Sequence, residues 1–301
     1  MTRQWLRRVR LTVSGSGGSV SFDGTQDLQS GQVESGGFKI GFNVAKTIGS
    51  KQNTASITIW NLTKSNRNKL GEEFDKVKLE VGYKDSGLSL LYEGDIRDVT
   101  HTKDSADVQS SIECGDGDKA VNKGAVSKTF PSGTKPKAVM EYLISQMPGA
   151  RKGKIVGIDD APAFKRPVTV YGWSAQEMDK MGRHTGSYWN IHNGEVNVVK
   201  NDRHLGEAAI VSSETGMIGI PEETDKGIKF KALLNTKIVP GRLVDVRSGF
   251  LDAPSGRDKR ASDAGGGLFR VASATFTGDT RAEEFFVEVE ANRVQGDKVV
   301  K

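Results

Sequence analysis

The chain has 301 residues, with 43 Lys and Arg against 38 Asp and Glu and a single cysteine. One cysteine excludes an intramolecular disulfide and suits assembly in a reducing cytoplasm. No apolar run approaches the ~18–20 residues of a membrane-spanning helix, and the charged N-terminus is followed by no apolar stretch that would read as a secretory signal. The net charge of +5 arises from acidic and basic residues mixed along most of the chain, which does not by itself select a nucleic-acid partner. The one dense basic cluster, Arg3, Arg7, Arg8 and Arg10 around Trp5, reads as a solvated N-terminal arm. Thirty-six glycines against eight prolines suit the turns and bulges of a β-rich protein better than a disordered linker.

In chain order, residues 15–37 are rich in Gly and Ser and poor in apolar side chains. They are expected to be a loop, either plain or a contact arm for a neighbouring subunit. From Phe38 to Val121 the period is two. Ile40, Phe42 and Val44 alternate with polar residues, as do Ala55, Ile57 and Ile59, and then Val77, Leu79, Val81 and Tyr83. That spacing predicts strands with one buried and one wet face. Between them, residues 64–74 read as a short helix opened by Thr63 or Ser65. After a turn at Asp85-Ser86-Gly87, strands continue through Leu91, Ile96, Val99 and Ile112.

Past Gly115-Asp116-Gly117-Asp118 the pattern changes. Residues 136–147 predict a helix with Val139, Leu143 and Met147 on one stripe and Pro148-Gly149 as its stop. Ser174-Ala175-Gln176-Glu177 has the form of a capping box opening a second helix that ends near Gly186. Residues 188–199 predict a hairpin, with Trp189 and Ile191 leading into Asn193-Gly194 and Val196 and Val198 leading out. From about Gly216 the alternation returns through Ile228, Phe230, Ala232 and Leu234, then Val244 and Val246, Phe269 and Val271, and finally Phe285, Val287, Val289 and Ala291. A second apolar-poor stretch, residues 248–267, is another candidate loop or contact arm. The expected fold class is therefore mainly β (α+β). Two small antiparallel β-barrel or sandwich domains, residues 1–117 and 213–301, flank an α/β module at 118–212, an arrangement compatible with a distant duplication.

The chain offers little chemistry. His101, His184, His192 and His204 have no ligand partner at i+3 or i+4, and Cys114 has no Cys-x-x-Cys mate, so no metal site is predicted. No nucleophile elbow, Walker loop or dinucleotide fingerprint is present, and no cofactor is expected. Cys114 follows Ile112 on a strand pattern and reads as a small buried hydrophobe, not a thiol nucleophile partnered by His101. Asp159-Asp160 and Glu222-Glu223 are adjacent pairs whose side chains diverge on extended backbone, so neither forms an acid/base pair. Trp5, Trp60, Trp173 and Trp189 sit where core aromatics are expected, although aromatics could also stack bases. No catalytic, cofactor-binding or metal residue is assigned, and the chain is not expected to be an enzyme.

Several segments resemble the baseplate hub proteins of tailed phages. These are Arg3-Gln4-Trp5-Leu6-Arg7 before a strand, Ala55-Ser56-Ile57-Thr58-Ile59-Trp60-Asn61-Leu62 before a short helix, and Val81-Gly82-Tyr83 with Tyr92-Glu93-Gly94-Asp95-Ile96. Gly216-Met217-Ile218-Gly219-Ile220-Pro221, with residues 229–234, Asn235, Pro240, Gly241 and Leu243, is similar to the entry of that family's final domain. The resemblance implies a virion protein of the tail baseplate whose two barrel-like domains are like tail-tube subunits. A homotrimer would then present six such domains in a ring, adapting a sixfold tube to a threefold spike. The partners it implies are tail-tube or distal tail proteins, a central spike or tip protein and the tape-measure protein, with DNA only in transit through the lumen. The length leaves no room for a fused lysozyme or needle. Rival readings are a nucleic-acid-binding β-barrel protein with a basic arm, a peptidoglycan-degrading tail enzyme, and a hub of a type VI secretion machine, which would normally continue into a spike.

Overall fold

The computed structural model describes residues 5–29, 32–49, 52–248, 266–295 and 298–299. Arg3 and residues 249–265, part of the second expected arm, lie outside the described residues. The chain begins with β1 (Arg7–Gly15), β2 (Gly18–Gln29), β3 (Gln32–Gly37), β4 (Ile40–Thr47) and β5 (Thr54–Trp60). After α1 (Lys64–Lys69) come β6 (Phe74–Tyr83), β7 (Gly87–Asp104) and β8 (Asp107–Gly115). The central part holds α2 (Asp118–Lys123), β9 (Ala125–Phe130), α3 (Pro136–Ser145), β10 (Arg151–Val156), β11 (Val168–Trp173), α4 (Ser174–Thr185), β12 (Ser187–His192) and β13 (Glu195–Lys200). The chain then returns to strands, β14 (Ala208–Val211), β15 (Met217–Thr224), β16 (Gly227–Leu233), β17 (Leu243–Arg247), β18 (Gly266–Asp279), β19 (Phe285–Gln295) and β20 (Lys298–Val299).

Fifteen of these strands form one sheet, in which both stretches of alternating sequence take part. Its path runs β15-β16-β19-β18-β4-β5-β8-β7-β6-β1-β2-β3, with β17 on β18 and β14 on β17. The joint between the N-terminal and C-terminal strands is the antiparallel pairing of β18 with β4, from Ser273 opposite Thr47 to Asp279 opposite Gly41. Alternation supplies the buried face on both sides of it. Ile40, Phe42 and Val44 from β4, Ala274 and Phe276 from β18, and Leu11, Val13, Leu79 and Ile112 from farther along belong to one continuous hydrophobic cluster. At roughly 25 cal/mol per Å² of apolar surface removed from water, such a cluster is the main favourable term holding the sheet together.

Two long strands, β7 and β18, each change partner along their length. β7 pairs with β6 through residues 87–95 and with β8 through 95–104, and its register with β8 shifts between Ile96 and Asp98. β18 pairs with β17 through residues 266–270 and with β4 through 273–279, and its register with β19 shifts between Val271 and Ser273. An irregularity of this kind bends a strand and raises its local twist, which lets one strand serve two layers.

The central part has its own core. Val139, Met140, Leu143 and Ile144 from α3, Met178 and Met181 from α4, and Trp189, Ile191, Val196 and Val198 from the β12–β13 hairpin form a second cluster, separate from the first. A three-stranded sheet, β10-β13-β12, and a two-stranded ribbon, β9 with β11, carry the helices. The Asn193-Gly194 turn has φ of 51° and 76°, the left-handed pair that an Asn-Gly hairpin turn supplies at low cost.

Four local expectations are corrected. Residues 18–37 are not a loop. β2 and β3 form a hairpin whose first strand pairs with β1, because backbone hydrogen bonds and a few inward side chains such as Phe22 suffice for a strand whose other residues face water. The helix opened by Thr63 stops at Lys69, where Gly71 at φ 84° turns the chain and Phe74, 1% exposed, is drawn into the core as the first residue of β6. Ser174 does not cap α4; Trp173 is the N-cap, while Ser174 is already helical and buried, its N–H donating to the Gly124 carbonyl at 2.7 Å. Of the four tryptophans only Trp189, 3% exposed, is core; Trp5 and Trp173 are 37% and 45% exposed, and Trp60 lies half-buried beneath the Lys39 ammonium at 4.1 Å. Trp173 is outside because it lies on the outward face of the β9–β11 ribbon, beside Tyr171.

Candidate functional site at the module junction and the sheet ends

Arg7, Arg8 and Arg10 are engaged within the fold. β1 runs antiparallel to β2, which puts Arg8 and Arg10 opposite Thr25 and Asp23. Arg10 pairs with Asp23 at 2.6 Å and Arg8 with Asp27 at 3.2 Å, and Asp27 is held below the usual carboxylate range, chiefly by a hydrogen bond from Lys84. Arg7 points instead at the β18–β19 turn. Its guanidinium donates to the carbonyls of Asp279 (3.0 Å), Glu283 (2.6 Å), Glu284 (3.3 Å) and Ala282, and lies 5.2 Å from the Phe285 ring. The same turn accepts from Gln26 through the Thr280 carbonyl, and the Thr280 hydroxyl accepts from the Ile40 amide. The expected solvated arm is, for Arg7, a clamp joining the first strand to the last hairpin.

Where the central part meets the large sheet, the two hydrophobic clusters stay separate and polar groups make most of the named contacts. The Asn193-Gly194 turn inserts against the segment after β8. Asp116, fully buried, accepts from the Asn193 amide at 2.7 Å with one carboxylate oxygen and from the Gly194 amide at 3.0 Å with the other. Asn53 donates to the Ile191 carbonyl at 2.7 Å, and the Glu93 amide donates to the Asn193 side chain at 3.2 Å. Burial pushes the Asp116 carboxyl up, opposed by the two turn amides, Lys46 and Asn53. Lys46, on β4 and buried, donates to the Leu91 carbonyl; burial pushes its ammonium down to about 7, with Asp116 opposing. His192, at the end of β12, is pushed well below its ordinary value by burial and then by the charges of Lys46 and Arg242. A second polar contact ties the far end of the hairpin to β18. Arg270 is buried, donates to the carbonyls of Asn201 (2.8 Å) and Arg203 (2.9 Å), and lies 5.4 Å from the Tyr188 ring.

The two ends of the sheet path expose apolar side chains. At one end every residue of β3 is exposed, and Leu28 and Val33 face each other across the β2–β3 hairpin, both open to solvent. At the other end β15 loses register between Ile218 and Glu222 and leaves Ile218 and Ile220 exposed beside a groove of about 430 Å³. The groove floor carries the ion pairs Lys229–Glu290 (2.6 Å) and Lys231–Glu288 (3.6 Å).

The remaining residues considered in the sequence are dispersed. Cys114 is buried on β8 with its thiol pushed up to about 12, chiefly by burial, and it lies opposite Ile96 and Ala55; His101 instead contacts the Ser110 hydroxyl at 3.0 Å. His184 stacks on Phe164, and the His204 ring accepts from the Gly206 amide at 3.1 Å. Asp159 pairs with Lys137 at 2.6 Å, and Glu223 with Arg293 at 3.5 Å. Among the described residues no group of three or more His, Cys, Asp or Glu is placed to hold a metal ion, and no helix is long and apolar enough to cross a membrane. The Asp116 socket was not anticipated. Its signals were present separately, as an Asn-Gly turn and a Gly-Asp-Gly-Asp run, but nothing local joins positions 77 residues apart.

Comparison with known proteins places these features in a tail. Residues 19–258 match the family described as Baseplate hub gp41. No curated protein matches the chain. The fold is similar to that of the 43 kDa tail protein of prophage MuSo2 from Shewanella oneidensis, with a TM-score of 0.56 at 10% identity over 97% of this chain and 98% of that one. A tail protein from Neisseria meningitidis MC58 gives 0.57 at 11% identity over 96% and 97%. The E. coli c3393 protein, a type VI secretion component described as similar to the T4 tail proteins gp27 and gp5, gives 0.59 at 10% identity over 87% of this chain and 75% of that one.

Proposed function

Because the chain belongs to the Baseplate hub gp41 family, we propose that it acts as the structural hub of a phage tail baseplate, a homotrimeric ring joining the tail tube to a central spike or tip. The observation that carries this reading is the single sheet running through both β-regions by way of the β4–β18 pairing. Two β-regions joined in this way would give three chains six β-units, the number needed to match a sixfold tube to a threefold spike. Residues 1–117 and 213–301 are read as the two tube-like units and 118–212 as the module between them, with β14 reaching back to extend the C-terminal unit's sheet.

The strand path ends at β15 and β3, and both ends expose apolar residues, as expected of surfaces that neighbouring subunits cover. Function in this reading is geometric and non-catalytic. The ring adapts symmetry, docks spike, tube and tape-measure proteins, and encloses a passage for DNA, and it is built in the host cytoplasm. A DNA-binding role for the basic arm is disfavoured because Arg7, Arg8 and Arg10 are engaged by the protein's own carbonyls and carboxylates.

The deciding measurement is the mass of the purified chain, alone and with tube and spike proteins, by light scattering or native mass spectrometry. A trimer, or a monomer driven to a trimer by those partners, is expected. A strict monomer that ignores them and binds DNA at low salt would replace the hub reading with the nucleic-acid one.

A further inference from the structure

We propose that the central α/β module is a hinged rigid body, held against the large sheet by two polar latches and able to swing away from it without either part unfolding. Four observations lead there. The module's hydrophobic cluster is separate from that of the sheet, so no continuous apolar core cements the two. What holds them is polar. At one latch the Asp116 carboxylate grips the Asn193 and Gly194 amides while Asn53 donates to Ile191; at the other, Arg270 donates to the carbonyls of Asn201 and Arg203. The ion pairs Asp118–Arg97 (2.8 Å) and Lys119–Asp75 (2.5 Å) also tie α2 to the sheet, but they sit next to Gly117, at the pivot, where a swing of the module displaces them least.

Interfaces of this polar kind between parts of one chain permit relative motion, whereas a shared apolar core forbids it. The chain crosses between the parts twice, and each crossing carries residues in the left-handed region. Gly117, at φ 67°, precedes α2; Gly206 and Glu207, at φ 75° and 50°, follow the second latch. Hinges are commonly a few such residues at element ends that absorb a change in φ and ψ. Finally, the turn gripped by Asp116 is a tight two-residue hairpin turn whose shape is set within β12 and β13, so it can leave the socket and return unchanged.

The test uses the full chain with spin labels on cysteines introduced at Ser145, on the module, and Ser19, on β2, both exposed. Cys114 is buried with its thiol pushed up to about 12 and stays unlabelled. Pulsed electron resonance on the otherwise unaltered protein is expected to give one narrow distance. Asp116→Ala combined with Arg270→Ala is expected to broaden the distribution towards longer distances. Asp116→Asn keeps the shape of the side chain and guards against misfolding of the stronger variant. With it, hydrogen exchange at the Asn193 and Gly194 amides should quicken by roughly tenfold or more, the worth of about one charge-assisted hydrogen bond. Protection at Val198 in the module and Leu79 in the sheet should hold. An unchanged narrow distance in the double variant would overturn the hinge. So would a parallel loss of protection at Val198, which would mean that the module melts when unlatched.

Discussion

The large sheet and the central module both bury alternating side chains, yet they make their cores from very different separations along the chain. Cluster members in the sheet run from Val9 to Ala291, and its central seam joins Thr47 to Ser273. Those of the module run from Ala120 to Val198, and its sheet is closed by a hairpin of two residues. A core assembled from distant segments stands or falls as a whole, because no part of it can be satisfied locally. A core assembled from neighbours can exist beside it with polar contacts between. The contrast explains why apolar contact rules inside each part while carboxylate, amide and guanidinium groups rule at the junction.

Substitutions at chosen points put that contrast to the test. The largest effect is expected for Phe276→Ala, on β18 at the seam, which should cost about 3–5 kcal/mol and lower the urea midpoint of N-terminal and C-terminal strands together. Two separate transitions for those strands would show that the seam does not couple them. Met140→Ala, in α3, should cost about 2–5 kcal/mol but act on the module. Hydrogen exchange should then quicken at Val196 and Val198 and stay slow at Leu79 and Val81; equal quickening would merge the two cores into one.

Lys46 probes the polar junction through pH. Its ammonium titrates near 7 in the folded chain and near 10.5 when unfolded, so between those values only the unfolded chain keeps the proton. Stability should therefore rise with pH across that window, by a few kcal/mol in all at about 1.4 kcal/mol for each pH step of one. Lys46→Met should remove that rise, which denaturation at pH 7, 8.5 and 10 would reveal. Arg7→Ala, which removes the guanidinium donor from the Asp279, Ala282 and Glu283 carbonyls, should cost about 1.5–3 kcal/mol. Exchange should quicken first in the β18–β19 turn; an unaltered turn would make the clamp incidental. The smallest effect is expected at Thr63, whose hydroxyl accepts from the Asn66 amide to cap α1. Thr63→Ala should cost about 1 kcal/mol by urea denaturation and leave both cores intact.

Which residues face inward was legible in the amino-acid order. The alternation at Ile40 to Val44, Val77 to Tyr83 and Ile228 to Leu234 and the Asn-Gly turn are each decided within a few residues and stand as read, and of the two helix openers offered, Thr63 is the one that caps α1. The mainly β class followed from those local patterns taken in order, while the resemblance to baseplate hubs rested on particular segments such as Ala55 to Leu62 and Gly216 to Pro221. Which strand lies beside which came from the folded chain alone. A period of two states which face of a strand is dry but carries no address for its neighbour, so the β4–β18 seam and the strand state of residues 18–37 were invisible. The same holds for Arg7 and Asp116. A charged side chain reads as solvated until a distant turn supplies the carbonyls or amides that make its burial tolerable, and those turns lie more than 70 residues away in the chain.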